Sequence, residues 1–392
     1  MLVNQSKSGN MRKVTVIAVA AMVIIIPIVI LLADFDGDGL SNFNELRAGT
    51  SMFNSDTDGD GLFDGLEING WDITVNEISH HVSSNPLSID SDGDGLNDWR
   101  EHDNRADPLF CDTDADNLTD AYELDNVGTL PFRSDTDGDG LFDGREVLES
   151  FTNPLLEDTD KDGSSDGMEV ENMKQWGANP LHRDIFVEMD RMDENTHWMT
   201  AEETTNLISV FKNAPILNPD GTWGVDLHMF ENEIVPSVDN LDGRSSWPSD
   251  LNRIGYSREY EERYKSYGDG CYYALFAKYG CVGVGGHTTE YGFVIDTLPS
   301  LDIPNLDGIN ASKFMHEVGH CLGLTFFVFD GIDSQKYSFS EYPSVMNVNC
   351  PTDNEGYNMY NRLGYSNGGV FNDWAYLDEN GFVKYPGNII IS

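Results

Sequence analysis

The chain has 392 residues and a formal net charge of −45, from 68 acidic against 23 basic side chains. That imbalance argues against nucleic-acid binding, which needs basic patches. A wholly disordered acidic chain is excluded as well, because 39% hydrophobic and 11% aromatic residues suffice to build a core. The length allows two or three domains.

The first element is an apolar run over residues 14–33 that carries no charged side chain. A helix of that length spans about the 30 Å hydrocarbon core of a bilayer. Lys7, Arg12 and Lys13 precede it, and Asp34, Asp36 and Asp38 come immediately after it. The positive-inside bias then keeps residues 1–13 cytoplasmic and exports the chain beyond residue 33. A membrane anchor is therefore expected, with the bulk of the chain at the cell surface. The alternative is a cleaved signal peptide and a secreted protein, but Leu31-Leu32-Ala33 makes a poor cleavage site.

Residues 34–172 carry one acidic pattern, D-x-D-x-D-G-x-x-D-x-x-E, six times with small lapses. The first loop uses Asp34, Asp36, Asp38, Asn42 and Glu45, and the second Asp56, Asp58, Asp60, Asp64 and Glu67. The third uses Asp90, Asp92, Asp94, Asp98 and Glu101, and the fourth Asp112, Asp114, Asp116, Asp120 and Glu123. The fifth uses Asp135, Asp137, Asp139, Asp143 and Glu146, and the sixth Asp158, Asp160, Asp162, Asp166 and Glu169. These are positions 1, 3, 5, 9 and 12 of a calcium loop, with glycine at position 6 except for Asn117. Calcium takes six to eight hard oxygens, which such dense carboxylates supply. Random acidity would not repeat five ligand positions in register. The loop carboxylates account for most of the charge imbalance.

Loop starts are 22, 34, 22, 23 and 23 residues apart, too close for the paired long helices of a true EF-hand. The array resembles thrombospondin type 3 repeats. That resemblance implies a chain wrapped around a string of calcium ions with little apolar core. The one long gap holds alternating segments at residues 71–75 and 78–82, read as a hairpin.

Near residue 173 the composition changes, and residues 173–392 form the second predicted domain. Residues 184–190 read as a strand. A helix is expected over 200–212, opened by the capping pair Thr200 and Glu203. Further strands fall at 225–230, 271–276 and 291–295, and a helix at 311–322. Of the five cysteines, Cys271 and Cys281 are close enough in sequence to bridge a hairpin, or all five are separate thiols.

The last helix carries His316-Glu317-Val318-Gly319-His320. Histidines four apart share one helix face and can hold one metal, and the glutamate between them can take a proton from water. Gly323 comes next, and Met346 stands in a later Ser-Val-Met-Asn stretch. Together these residues resemble the zinc site of the metzincin peptidases, most specifically over residues 310–347. The resemblance implies an α+β fold with a mixed twisted sheet and a metal helix. It implies zinc on His316 and His320, Glu317 as general base, Gly323 ending the helix and Met346 beneath the metal. It also implies an edge strand just before that helix, near residues 286–294, that pairs with an extended polypeptide substrate. One position departs: Phe326 stands where the third ligand would be. Asp330 and Asp333 are the next oxygen donors, and the sequence does not choose between them. With Val348 at the position often held by tyrosine, Tyr357 and Tyr360 are the candidates to assist at the oxyanion.

The expected protein is an extracellular zinc endopeptidase on a calcium-stabilised stalk, with Zn2+ and Ca2+ as cofactors. The alternative is a calcium-binding surface scaffold whose peptidase-like domain is inactive.

Overall fold

The computed structural model describes residues 28–192, 199–235, 270–278, 286–289, 292–297, 309–325, 327–330, 332, 336, 344, 346 and 371–382. Two compact units divide the chain, residues 1–149 and 150–392. The apolar run 14–33 lies outside the described residues except for its last six. Among the described residues no helix is long and apolar enough to cross a membrane. Cys281, Asp333, Phe326, Tyr357 and Tyr360 also lie outside the described residues.

The first unit contains five of the acidic loops and one hairpin. Each loop ends in a short helical turn that starts at or near its position 9. The leucine at position 7 (Leu40, Leu62, Leu96, Leu118, Leu141) is buried in every one of the five. With so little apolar material per repeat, polar clasps set the fold. In loops two to five, the Ser or Thr at position 2 donates its hydroxyl to one oxygen of the position-9 aspartate and its N–H to the other. For Thr57 and Asp64 these bonds are 2.6 and 2.8 Å long. The pairs Ser91–Asp98, Thr113–Asp120 and Thr136–Asp143 repeat them. The same hydroxyl accepts an N–H from six residues upstream, as from Asp107 to Thr113 at 2.8 Å. Strands β1 (Trp71–Val75) and β2 (Ile78–Val82) form the hairpin in the long gap, with Trp71 opposite Val82.

The second unit opens with the sixth loop and then builds a five-stranded sheet. Its strands are β3 (Asp184–Arg191), β4 (Asp226–Ile234), β5 (Cys271–Lys278), β6 (Gly286–Thr289) and β7 (Gly292–Thr297). They lie in the order β4-β3-β5-β7-β6. The pairings of β3 with β4, β3 with β5 and β5 with β7 are parallel, and β6 runs antiparallel to β7 at the edge. Among the described residues, the strand last in sequence before the helix at 309–321, β7, is thus internal. The edge belongs to β6, one hairpin earlier but still inside the 286–294 segment.

Helix α1 (Ala201–Lys212) carries the expected capping box: Thr200 Oγ1 accepts the Glu203 N–H at 3.2 Å and Glu203 Oε2 accepts the Thr200 N–H at 2.7 Å. Helix α2 (Ile309–Cys321) packs on β6 and β7 and against α1, and α3 (Asp373–Asn380) closes the described chain. Ile185, Val187 and Met189 of β3 meet Leu207 and Phe211 of α1, Phe314 and Val318 of α2, and Trp374 of α3 in one apolar core. The strand period of two turns Asp184, Phe186, Glu188 and Asp190 to the opposite face. There Asp190 is held by the Tyr273 hydroxyl at 2.9 Å and the Glu233 N–H at 3.0 Å. Burial, more than any neighbour, raises the Asp190 carboxyl to about 6. Cys271 is buried on this face beside Met173 and Phe186.

Phe314 fastens α2 to the sheet, fully buried and edge-on to Phe293 at 5.1 Å. Phe314→Ala is expected to cost about 3–5 kcal/mol, measured as a fall in the urea midpoint of the second unit's transition at fixed calcium.

Candidate functional site

Helical periodicity places His316 and His320 one turn apart, and the structure brings their Nε2 atoms to 3.2 Å. Two imidazoles bound to one tetrahedral zinc at about 2.0–2.1 Å have nitrogens about 3.3 Å apart, so the pair fits that ion. The turn after the helix sets the tautomer. Gly323 adopts a left-handed backbone (φ 99°), the Leu324 N–H bonds back to the Gly319 carbonyl, and the Leu324 carbonyl accepts from His320 Nδ1 at 2.7 Å. With the proton held on Nδ1, the lone pair of His320 stands on Nε2. Glu317 and His320 are buried and His316 is half-buried. Met346 is fully buried in the core that also holds Val318 and Leu322, and its N–H donates to Ser344 Oγ. Asp330 is ion-paired with Lys336. Two other histidines have partners of their own: His182 Nδ1 lies 2.8 Å from Thr222 Oγ1, and His228 Nε2 lies 2.6 Å from Asp184 Oδ1.

Each of the six loops winds its backbone around its first aspartate. Oδ1 of Asp34, Asp56, Asp90, Asp112, Asp135 and Asp158 accepts the N–H three residues on, at 2.7–2.8 Å. Oδ2 accepts the N–H five residues on, at 2.8–3.1 Å. Positive φ is therefore required at position 4 as well as position 6. Glycine supplies it at position 4 in four loops, while Ala115 and Lys161 adopt it at 65° and 68°. The calcium-loop pattern by itself accounts only for the second glycine, although D-G-D-G stands in four loops.

The position-5 aspartates link one repeat to the next. One oxygen takes the N–H two residues on, as from Leu62 to Asp60 at 2.7 Å. The other reaches the position-10 N–H of the next loop along: Asp38 to Gly65, Asp60 to Trp99, Asp94 to Ala121, and Asp116 to Gly144, at 2.7–3.0 Å. A Cβ at Gly144 would collide with the Asp116 carbonyl, so glycine is needed for that approach.

Positions 3 and 12 are different. Their carboxylates are turned inward, and many of their oxygens find no hydrogen-bond partner among the described residues. Asp36, Glu45, Glu101, Asp114 and Glu169 leave both oxygens in this state, and Asp58, Glu67, Asp92, Glu123, Asp137 and Asp160 leave one. The position-12 glutamates are all fully buried. Buried carboxylate oxygens without donors are costly unless a cation meets them. In each of the first four loops, oxygens of the three leading aspartates lie within 4.8 Å of one another. A further buried group, Asp116, Glu123 and Asp143, spans loops four and five at the same spacing. Dense, hard, anionic oxygens of this kind fit calcium.

Residues 34–50, 56–70 and 135–156 match the family model for the bacterial TSP3 repeat. These segments are TSP3 repeats. Such repeats bind calcium, in agreement with the inward carboxylates. No curated protein and no solved structure matches the chain.

Within the acidic-loop array, burial first and neighbouring loop aspartates second push several carboxyls of positions 3 and 12 upward. Glu101 and Glu123 rise to about 9 and Asp114 to about 8. In the metal-free state such groups bind more protons folded than unfolded from near pH 4.5 up to about 9, so stability falls as pH rises through that window. With calcium bound, protons compete with the ion and the slope reverses. Calorimetry in chelator is expected to give a lower Tm for the array at pH 8 than at about pH 5.5, and the opposite order in about 5 mM calcium, above the range of extracellular sites. A metal-free Tm that climbs with pH would refute this account.

Proposed function

We propose that the chain is an exported zinc-dependent endopeptidase whose TSP3 array is stiffened by calcium. The single observation that carries this reading is the convergence of His316 and His320 Nε2 at 3.2 Å on a helix that also presents the buried Glu317. A zinc ion held there would polarise a peptide carbonyl and make a water acidic enough to attack it. The residues of the chain divide the remaining work. The Leu324 carbonyl keeps His320 in the ligating tautomer. Glu317 accepts the proton of the attacking water and passes it to the nitrogen of the leaving amine. The antiparallel strand β6, packed beside α2, is an edge of the sheet among the described residues and is the side offered to an extended polypeptide. Asp330 or Asp333 closes the ligand set from the loop beyond residue 326. The N-terminal apolar run provides either a membrane anchor or a secretion signal.

A second reading is favoured by one observation: the aromatic Phe326 at the expected ligand position. In it the C-terminal unit is inactive, and the protein is a calcium-binding surface scaffold.

Glu317→Gln in the full chain is expected to lower kcat/KM for an unfolded protein substrate by about 10²–10⁴-fold with zinc content unchanged. His320→Ala is expected to lose the zinc itself. Metal analysis of both variants beside the parent checks this, and an unsubstituted chain that takes up no zinc at micromolar supply leaves only the scaffold.

A further inference from the structure

The sixth acidic loop has no repeat after it, yet its linking carboxylate is not idle. Asp162 Oδ2 accepts the N–H of Asp184, the first residue of β3, at 3.0 Å. This is the bond that Asp38, Asp60, Asp94 and Asp116 make to their next repeat. The loop backbone is engaged too. The Asp160 carbonyl accepts from Arg183 Nε at 2.6 Å, and the Lys161 carbonyl accepts the Phe382 N–H at 2.8 Å. Arg183 is held in turn by the Asp378 carboxylate at 2.9 Å and its carbonyl at 3.2 Å, with the guanidinium over the Phe382 ring. The turn after the loop places Met173 and Met168 against Phe186 of β3, Phe230 of β4 and Cys271 of β5. The loop therefore falls within the unit of residues 150–392.

Four carboxylates crowd this corner. Asp160, Asp162, Glu169 and Asp184 are each at most 5% exposed. Both oxygens of Glu169 and one of Asp160 are buried with no hydrogen-bond partner among the described residues. His228 meets one oxygen of Asp184, whereas among the described residues no basic side chain pairs with the carboxylate oxygens of Glu169 or Asp160. Buried like charges of this density repel one another unless an ion neutralises them.

We propose that the sixth loop is a structural calcium site of the C-terminal unit itself, and that its ion holds the first residues of β3, the strand between β4 and β5, in place. The first four loops join repeat to repeat, whereas this one joins an ion to the sheet on which α2 packs. The inference rests on calcium binding by the loop and not on the hydrolytic reading.

Hydrogen exchange read by mass spectrometry on the full chain tests it. Chelation is expected to open residues 158–169 and to speed amide exchange in 184–191 at least about tenfold, at the same free calcium. Asp160→Asn in saturating calcium is expected to reproduce the effect on 184–191, whereas Asp58→Asn, in the second loop, leaves that strand protected. Should Asp160→Asn fail to fold, the calcium titration of the unsubstituted chain decides alone. The proposal is overturned if β3 stays protected after 158–169 has opened, if 158–169 does not respond to calcium, or if Asp58→Asn exposes β3 equally. Zinc content and cleavage, assayed separately on the calcium-loaded chain, keep these outcomes distinct from a failure of the peptidase reading.

Discussion

Buried carboxylate oxygens that no N–H or O–H among the described residues reaches are the constraint on which the acidic-loop array depends. Every loop gives backbone donors to both oxygens of position 1 and to position 5, while at most of positions 3 and 12 at least one inward-facing oxygen meets no donor among the described residues. A chain that satisfies ten or more acidic groups with its own amides could have satisfied the rest. The division shows which oxygens are committed to shaping the loop and which are reserved for an ion. Folding and metal binding then become one equilibrium, because the apo loop carries its desolvation cost with nothing to offset it.

The array also shows how a fold extends with almost no core. One buried leucine per repeat contributes roughly 1.5–3 kcal/mol, too little to order some twenty residues. The polar wiring makes up the difference. The position-2 hydroxyl ties upstream chain to the position-9 aspartate, and the position-5 carboxylate ties each of the first four loops to the next. Position 9 thus shapes the loop, and in Asp143 it also joins the group formed with Asp116 and Glu123 across two repeats. A single carboxylate has four lone-pair sites, so the two roles do not compete.

Much of this was legible in the sequence where period and residue type agree. The hairpin at 71–75 and 78–82, the strand beginning at Asp184 and the Thr200–Glu203 capping box stand where alternation and capping chemistry placed them. The repeated Ser or Thr at position 2 and the first glycine of D-G-D-G were equally visible, but their meaning is not local. The hydroxyl matters because of a partner seven residues on, and the glycine because of an aspartate three residues back. The edge strand was harder. Four residues that begin with Gly286 give no usable period, and only pairing with β7 defines them. A strand-order assignment needs contacts that alternation along one segment does not contain.

Helix α2 illustrates how local and distant constraints combine. Spacing alone puts two histidines on one face, but spacing does not choose which nitrogen each ring presents. That choice comes from Gly323, whose left-handed backbone returns the chain so that the Leu324 carbonyl meets His320 Nδ1. Apolar packing does the rest. Phe314 and Val318 lock the opposite side of the helix onto the sheet, so the imidazoles cannot rotate away without opening the core. The helix, its packing on the sheet and the turn at Gly323 thus all contribute to holding the two nitrogens 3.2 Å apart.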